Sequence, residues 1–177
     1  MLNEVLETIS VSKNINRTIV VSHDQSAFDI SKRFDVVEVF DESESGVNNA
    51  IELADKYISD SEFDTSLIIP QDIPFFISSD IDNLFSFFQN KSILSVPSRH
   101  FNGTNSLIRS HPNPMKTRYD EGTYKSHLQQ AKSDGISFSI VLIRRIMLDI
   151  DTQDDIEFAM KHKEKLNVCK KMLDLLS

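Results

Sequence analysis

The sequence predicts one α/β domain of three layers, a mostly parallel sheet with helices on both faces. Three observations predict it. Short apolar runs alternate with stretches of helical spacing, the pattern of βαβ units. The runs TIVVS (Thr18–Ser22), VVEVF (Val36–Phe40), SLIIP (Ser66–Pro70) and SILSV (Ser92–Val96) are largely continuous in apolar character, as in strands covered from both sides. Four glycines and five prolines gather in loops, and no repeat or linker interrupts the 177 residues. Residues 1–177 therefore read as a single domain.

Each element has its own local reason. Leu2, Val5, Leu6 and Ile9 recur at helical spacing, so the chain opens on a helix. Asp24 caps a helix reaching Arg33, with Phe28 and Ile30 facing inward. Ser43–Gly46 is a polar turn before a helix over Ala50–Tyr57. Asp72 lies just beyond the carboxyl end of the third strand, and Ser78 or Ser79 caps a Phe-rich helix ending near Phe88. Ser98–Thr117 is rich in Pro, Asn, His and Gly around one strand, Asn105–Ile108. Gly122–Ala131 reads as helix, Ile136–Leu142 as strand, and Ile146–Ile150 extends or follows that strand. Thr152 with Asp155 three residues on opens the last helices as a capping box.

Composition narrows the function. A lone cysteine, Cys169, rules out an internal disulfide and a Cys-based metal cluster, and suits a reducing, cytoplasmic setting. The start lacks a signal-peptide pattern and no apolar run approaches a membrane span. With 19 Lys+Arg against 27 Asp+Glu, the net charge of −8 disfavours nucleic acid. A phosphate substrate must therefore be met by a local cation, a bound metal or backbone N–H groups.

Five short segments carry candidate chemistry. In Pro70-Gln71-Asp72-Ile73-Pro74, a carboxylate after a strand can hold Mg²⁺ through oxygen; it serves equally as a turn residue capping the next helix. In Asp149-Ile150-Asp151-Thr152, extended backbone sends Asp149 and Asp151 to one side, where they could join Asp72 around a divalent ion. The competing role is acid decoration of a helix N-terminus, which Asp154 and Asp155 fit better. Asn102-Gly103-Thr104-Asn105 offers backbone N–H groups to an anion, or forms an ordinary polar turn. Gly122-Thr123 opens a helix whose free N–H groups attract carboxylate or phosphate, with His127 one turn along. Gly46 and Asn48, at a loop-to-helix junction, can read a nucleobase edge or merely cap the helix. The phenylalanines Phe75, Phe76, Phe85, Phe87 and Phe88 read as core. Arg99, His100, Arg109, Lys116, Arg118 and Lys125 make a local reversal of charge between the two acidic sites.

The order of these segments is informative. ESGVNNAI, LIIPQDIPFF, VPSRHFNGTNSLI, GTYKSHLQQA and DIDTQDDIEFA, spanning Gly46 to Phe158, resemble the 2-phospho-L-lactate guanylyltransferase family of deazaflavin coenzyme biosynthesis. That family shows a GLNxAL-like loop, a D-x-P after a strand, a GTNAL segment, a G-x-S-F-x-x-H helix start and a DIDxPEDL ending. The resemblance implies a nucleotide-diphospho-sugar transferase-like fold and an Mg²⁺-dependent nucleotidyltransferase. GMP would pass from GTP to 2-phospho-L-lactate or phosphoenolpyruvate, with release of pyrophosphate. It implies metal and catalytic roles for Asp72 and Asp149, with Asp151 a further metal ligand. It puts Thr104, Asn105, Gly122 and Thr123 at the phosphorylated acid, and Gly46 and Asn48 at the nucleotide. It leaves room for a homodimer. Thr123 stands for the usual Ser and Gln153 for the usual Pro. Family members usually begin with a strand and a basic loop of the form PxKxxxxAKSRL, whereas Met1–Leu6 corresponds to the helix after it. The expectation is thus a domain N-terminally incomplete relative to the family. The alternative is a catalytically impaired binding or partner protein, and a third reading is a relative that activates a molybdopterin or sugar phosphate.

Overall fold

The computed structural model describes residues 1–59, 61–111, 114–122 and 124–176. In chain order they form α1 (Leu2–Ser10), β1 (Thr18–Ser22), α2 (Gln25–Ser31), β2 (Val36–Phe40), α3 (Val47–Ser59), β3 (Thr65–Ile68) and α4 (Ser78–Phe87). Then follow β4 (Ser92–Pro97), β5 (Thr104–Ser110), a 3-10 turn (Tyr119–Glu121), α5 (Tyr124–Ser133), β6 (Ser137–Ile140), α6 (Gln153–Lys161) and α7 (Leu166–Leu176). Helix starts obey capping chemistry. The Asp24 carboxylate accepts the Ser26 N–H at 2.8 Å, and Asp155 accepts the Thr152 N–H at 2.9 Å. At α4 the cap is Asp80 reaching back to the Ile77 N–H at 2.9 Å, not Ser78 or Ser79. Asp80 supplies a full charge where a serine would offer a weaker dipole.

The α/β class holds, and the strands fall into two groups. β1 pairs with β2 in parallel, while β3, β5, β4 and β6 form a four-stranded sheet in that order. Within it β4 and β6 run parallel, and β5 lies antiparallel to both β3 and β4. The expected mostly parallel sheet is therefore mixed, because β5 returns beside β4 through a short connection that needs no crossover helix.

Alternation along the central strands builds two cores. Leu94, Val96 and Ile108 pack with Val5, Ile81, Leu84 and Ile146 on one face. Ile93 and Leu107 pack with Met115 and Ala131 of the α5 layer on the other. Phe75 and Phe76 are fully buried, while Phe87 stays 59% exposed at the end of α4. The predicted strand at Ile146–Ile150 is absent: residues 144–147 form turns and 148–150 an irregular segment. Between β1 and β3 lies a cavity of about 730 Å³, walled also by α1 and α3.

Candidate functional site

Two loops at one end of the four-stranded sheet bring the acidic residues together. The Ile150 N–H donates to the backbone carbonyl of Asp72 at 3.0 Å. That single bond ties the turn after β3 to the segment before α6. The segment is held on both sides: Ile146 and Leu148 are buried in separate cores, and the Met147 carbonyl accepts the Arg99 N–H at 2.8 Å. Burial raises the carboxyl pKa of Asp72, and the charges of Asp149 and Asp151 raise it further. Burial also raises that of Asp149, against a hydrogen bond from Asn105. Asp72 Oδ1 is buried without a hydrogen-bond partner. An orphaned carboxylate oxygen near like charges is one that a divalent cation would satisfy. Among the described residues, no three acidic, His or Cys side chains are gathered tightly enough to hold an ion by themselves. One or two carboxylates completed by substrate phosphates is the usual arrangement for Mg²⁺, and the residues fit it. Asp151 itself is exposed at the start of α6.

A β-bulge aims the next residues. Val96 pairs with Ser106 but Pro97 pairs with Thr104, so Asn105 is the extra residue on β5. Pro97 has no N–H to continue the ladder, which explains why it breaks there. The Asn105 amide donates to the Ile146 carbonyl at 3.0 Å and lies against Asp149. The preceding loop is rigid, since the Ser98 hydroxyl accepts the N–H groups of Asn102 and Gly103 at 3.2 and 3.0 Å. Thr104 Oγ1 sits 3.1 Å from His127 Nδ1. His127 is fully buried on α5, so it touches Thr104 and lies out of reach of a ligand. Gly122 takes a left-handed φ of 88° at the end of the 3-10 turn, two residues before α5, with open space where a side chain would stand. Thr123 lies outside the described residues.

The loop before α3 closes on the same region. Gly46 has φ of 91°, a conformation that favours glycine, and a Cβ there would come to 3.2 Å from the Asp120 carboxylate, which would have to give slightly. Asn48 donates to Asp120 at 2.6 Å and accepts the Tyr119 N–H at 3.0 Å. Its amide thus holds α3 against the 3-10 turn that leads into α5. Sequence reasoning did not identify Asp120 or Tyr119 as its partners, because nothing local links positions seventy residues apart.

Most cations of the predicted basic region are committed to acids. Arg109 is buried and forks onto Asp55 at 2.7 and 3.0 Å. Arg99 pairs with Asp155 at 2.7 Å, and Arg118 binds Gln130 and Glu121. Such pairing cancels local positive charge and leaves phosphate neutralisation to other groups.

A family model described as guanylyl transferase CofC like matches residues 1–174. A 2-phospho-L-lactate guanylyltransferase of Methanothermobacter thermautotrophicus is 26% identical, over 93% of this chain and 73% of its own. One from Methanocaldococcus vulcanius is 29% identical over 93% and 73%. A phosphoenolpyruvate guanylyltransferase of Sphaerobacter thermophilus is 25% identical over 92% and 78%. Among solved structures, a Desulfovibrio desulfuricans protein assigned to the nucleotide-diphospho-sugar transferases superposes with TM-score 0.70 at 10% identity, over 99% of this chain and 80% of that one. A CMP:2-keto-3-deoxy-manno-octonic acid synthetase complexed with CTP gives TM-score 0.61 at 9% identity, over 98% and 87%. At such identity these structures speak for the fold alone.

Proposed function

The chain belongs to the CofC-like guanylyl transferase family, and from that premise we propose that it transfers GMP from GTP to a small phosphorylated acid, 2-phospho-L-lactate or phosphoenolpyruvate. Pyrophosphate leaves. The observation that carries the reading is the buried, unpartnered Asp72 Oδ1 beside Asp149 and Asp151.

In this reading Asp72 and Asp149 would hold Mg²⁺ together with the substrate phosphates, with Asp151 adding its charge from the rim. The ion, when bound, screens the facing phosphates and polarises the α-phosphoryl group. Thr104, Asn105 and the backbone of Gly122, with Thr123, hold the acid so that its phosphate oxygen lies in line with the α-phosphorus. Gly46 and Asn48 shape the nucleotide side. No residue forms a covalent intermediate. The protein contributes orientation and a preset electrostatic frame. The net charge of −8 makes a cation at the carboxylates the natural partner of triphosphate.

The test is pyrophosphate release from GTP with each acid and Mg²⁺. Asp72→Asn is expected to lower turnover by about 100-fold or more. Its melting temperature should rise in metal-free buffer. A carboxylate whose folded pKa is raised destabilises the fold once ionised, so removing the charge relieves that cost at neutral pH. Unchanged turnover in the variant would sink the assignment. GTP binding without pyrophosphate release in the parent protein would favour a binding module.

A further inference from the structure

Resting on the acid subsite just described, we propose that His127 is a positioning residue that fixes Thr104 as a hydrogen-bond donor, so that the ligand group facing Thr104 is an acceptor oxygen of a carboxylate or phosphate. The backbone N–H of Arg118 points at His127 Nε2 from 3.0 Å. A backbone N–H can only donate, so Nε2 must be the unprotonated nitrogen. A neutral imidazole then carries its proton on Nδ1, which lies 3.1 Å from Thr104 Oγ1 and donates to it. The threonine hydroxyl accepts from His127 and turns its own proton elsewhere.

The opposite arrangement fails. Were Thr104 to donate to Nδ1, the ring proton would sit on Nε2 and face the Arg118 N–H, leaving two buried donors in opposition. The ring cannot rotate out of the choice. It is fully buried, with the Tyr119 ring edge-on at 4.9 Å between centroids. Arg118 is itself held by Gln130 at 2.7 Å. Burial first, then the charge of Arg109, lowers the His127 pKa to about 4, with Glu121 opposing and Arg118 reinforcing. The ring therefore stays neutral at neutral pH and keeps one tautomer.

Four variants read the idea out through KM for the acid at saturating GTP. His127→Gln places an amide near Nε2, keeping a partner for Arg118 but none for Thr104. His127→Asn places its amide nitrogen near Nδ1 and keeps the donor. His127→Gln and Thr104→Val are each expected to raise the acid KM about tenfold, the worth of one hydrogen bond, with the GTP KM little changed. His127→Asn should recover most of that loss. The double variant H127Q/T104V should be no worse than T104V alone, because both remove one interaction. Multiplicative losses, or equal rises in the GTP and acid KM, would mean that His127 merely supports the fold and would overturn the proposal. If the parent protein turns over neither acid, the proposed reaction fails, and ¹⁵N spectroscopy of the His127 ring still decides this inference. A proton on Nδ1 upholds it, and a proton on Nε2 refutes it.

Discussion

At the scale of single residues, charge and protonation are arranged against stability. Asp72 and Asp149 have carboxyl pKa values raised by burial, and His127 has its own lowered to about 4. The histidine makes a pH prediction whose sign is fixed. Unfolded, it takes a proton near 6.5; folded, it resists until about 4. Between these values the unfolded state binds more protons, so stability rises with pH there, by up to roughly 3 kcal/mol across the window. His111, lowered by burial, acts in the same direction. Asp72 and Asp149, whose values are raised, act the other way, so the histidine share is read against His127→Asn: from pH 7 to pH 5 the parent should lose more stability in urea unfolding than the variant. An unchanged slope in the variant would show that other groups dominate. The sequence disclosed the candidates Asp72, Thr104 and Asp149 through the order of their segments, since each segment alone serves equally well as a turn or a helix start. It could not disclose the tautomer of His127, which depends on an Arg118 N–H brought up by a turn.

Among elements, the decisive one is the irregular segment between β6 and α6, expected in part as strand. It must bend to carry Asp149 to the Asp72 turn, and it is pinned instead of paired. Arg145 forks onto Asp80 at 2.7 Å through both Nε and Nη2, while Asp80 also caps α4. One buried carboxylate thus anchors two elements. Asp80→Ala should lower stability by about 2–3 kcal/mol, since it removes the cap and the charged hydrogen bonds to Arg145, whose partly exposed guanidinium then turns to water. Thermal unfolding checks this, and a loss under 1 kcal/mol would show that the pair is dispensable. The sequence made most helices and strands legible, since capping residues and apolar runs are local signals. It did not make this segment legible, because its apolar residues Ile146, Leu148 and Ile150 alternate like a strand while Ile146 and Leu148 serve separate cores. Nor did it show the bulge at Asn105, which arises from Pro97 on the neighbouring strand.

For the whole molecule, the division of the sheet matters most. The β1–β2 pair and the four-stranded sheet meet across a cavity of about 730 Å³ whose wall includes Ser66, Asp72 and Arg109. The cavity is partly open to the surface, so water has a path into it. Its polar groups, the open edges of β1 and β3 and the unpartnered Ser66 hydroxyl, can bind that solvent. Solvated edges have a kinetic signature. β4 and β5 are paired on both sides and buried along nearly their whole length, so their amides open only with the fold. The alternate amides of β1 and β3 that face the cavity lack a strand partner and should exchange with deuterium about 100-fold or more faster. Equal protection along β1, β3 and β5 would show that these edges are covered, and the solvated break between the two sheets would have to be abandoned.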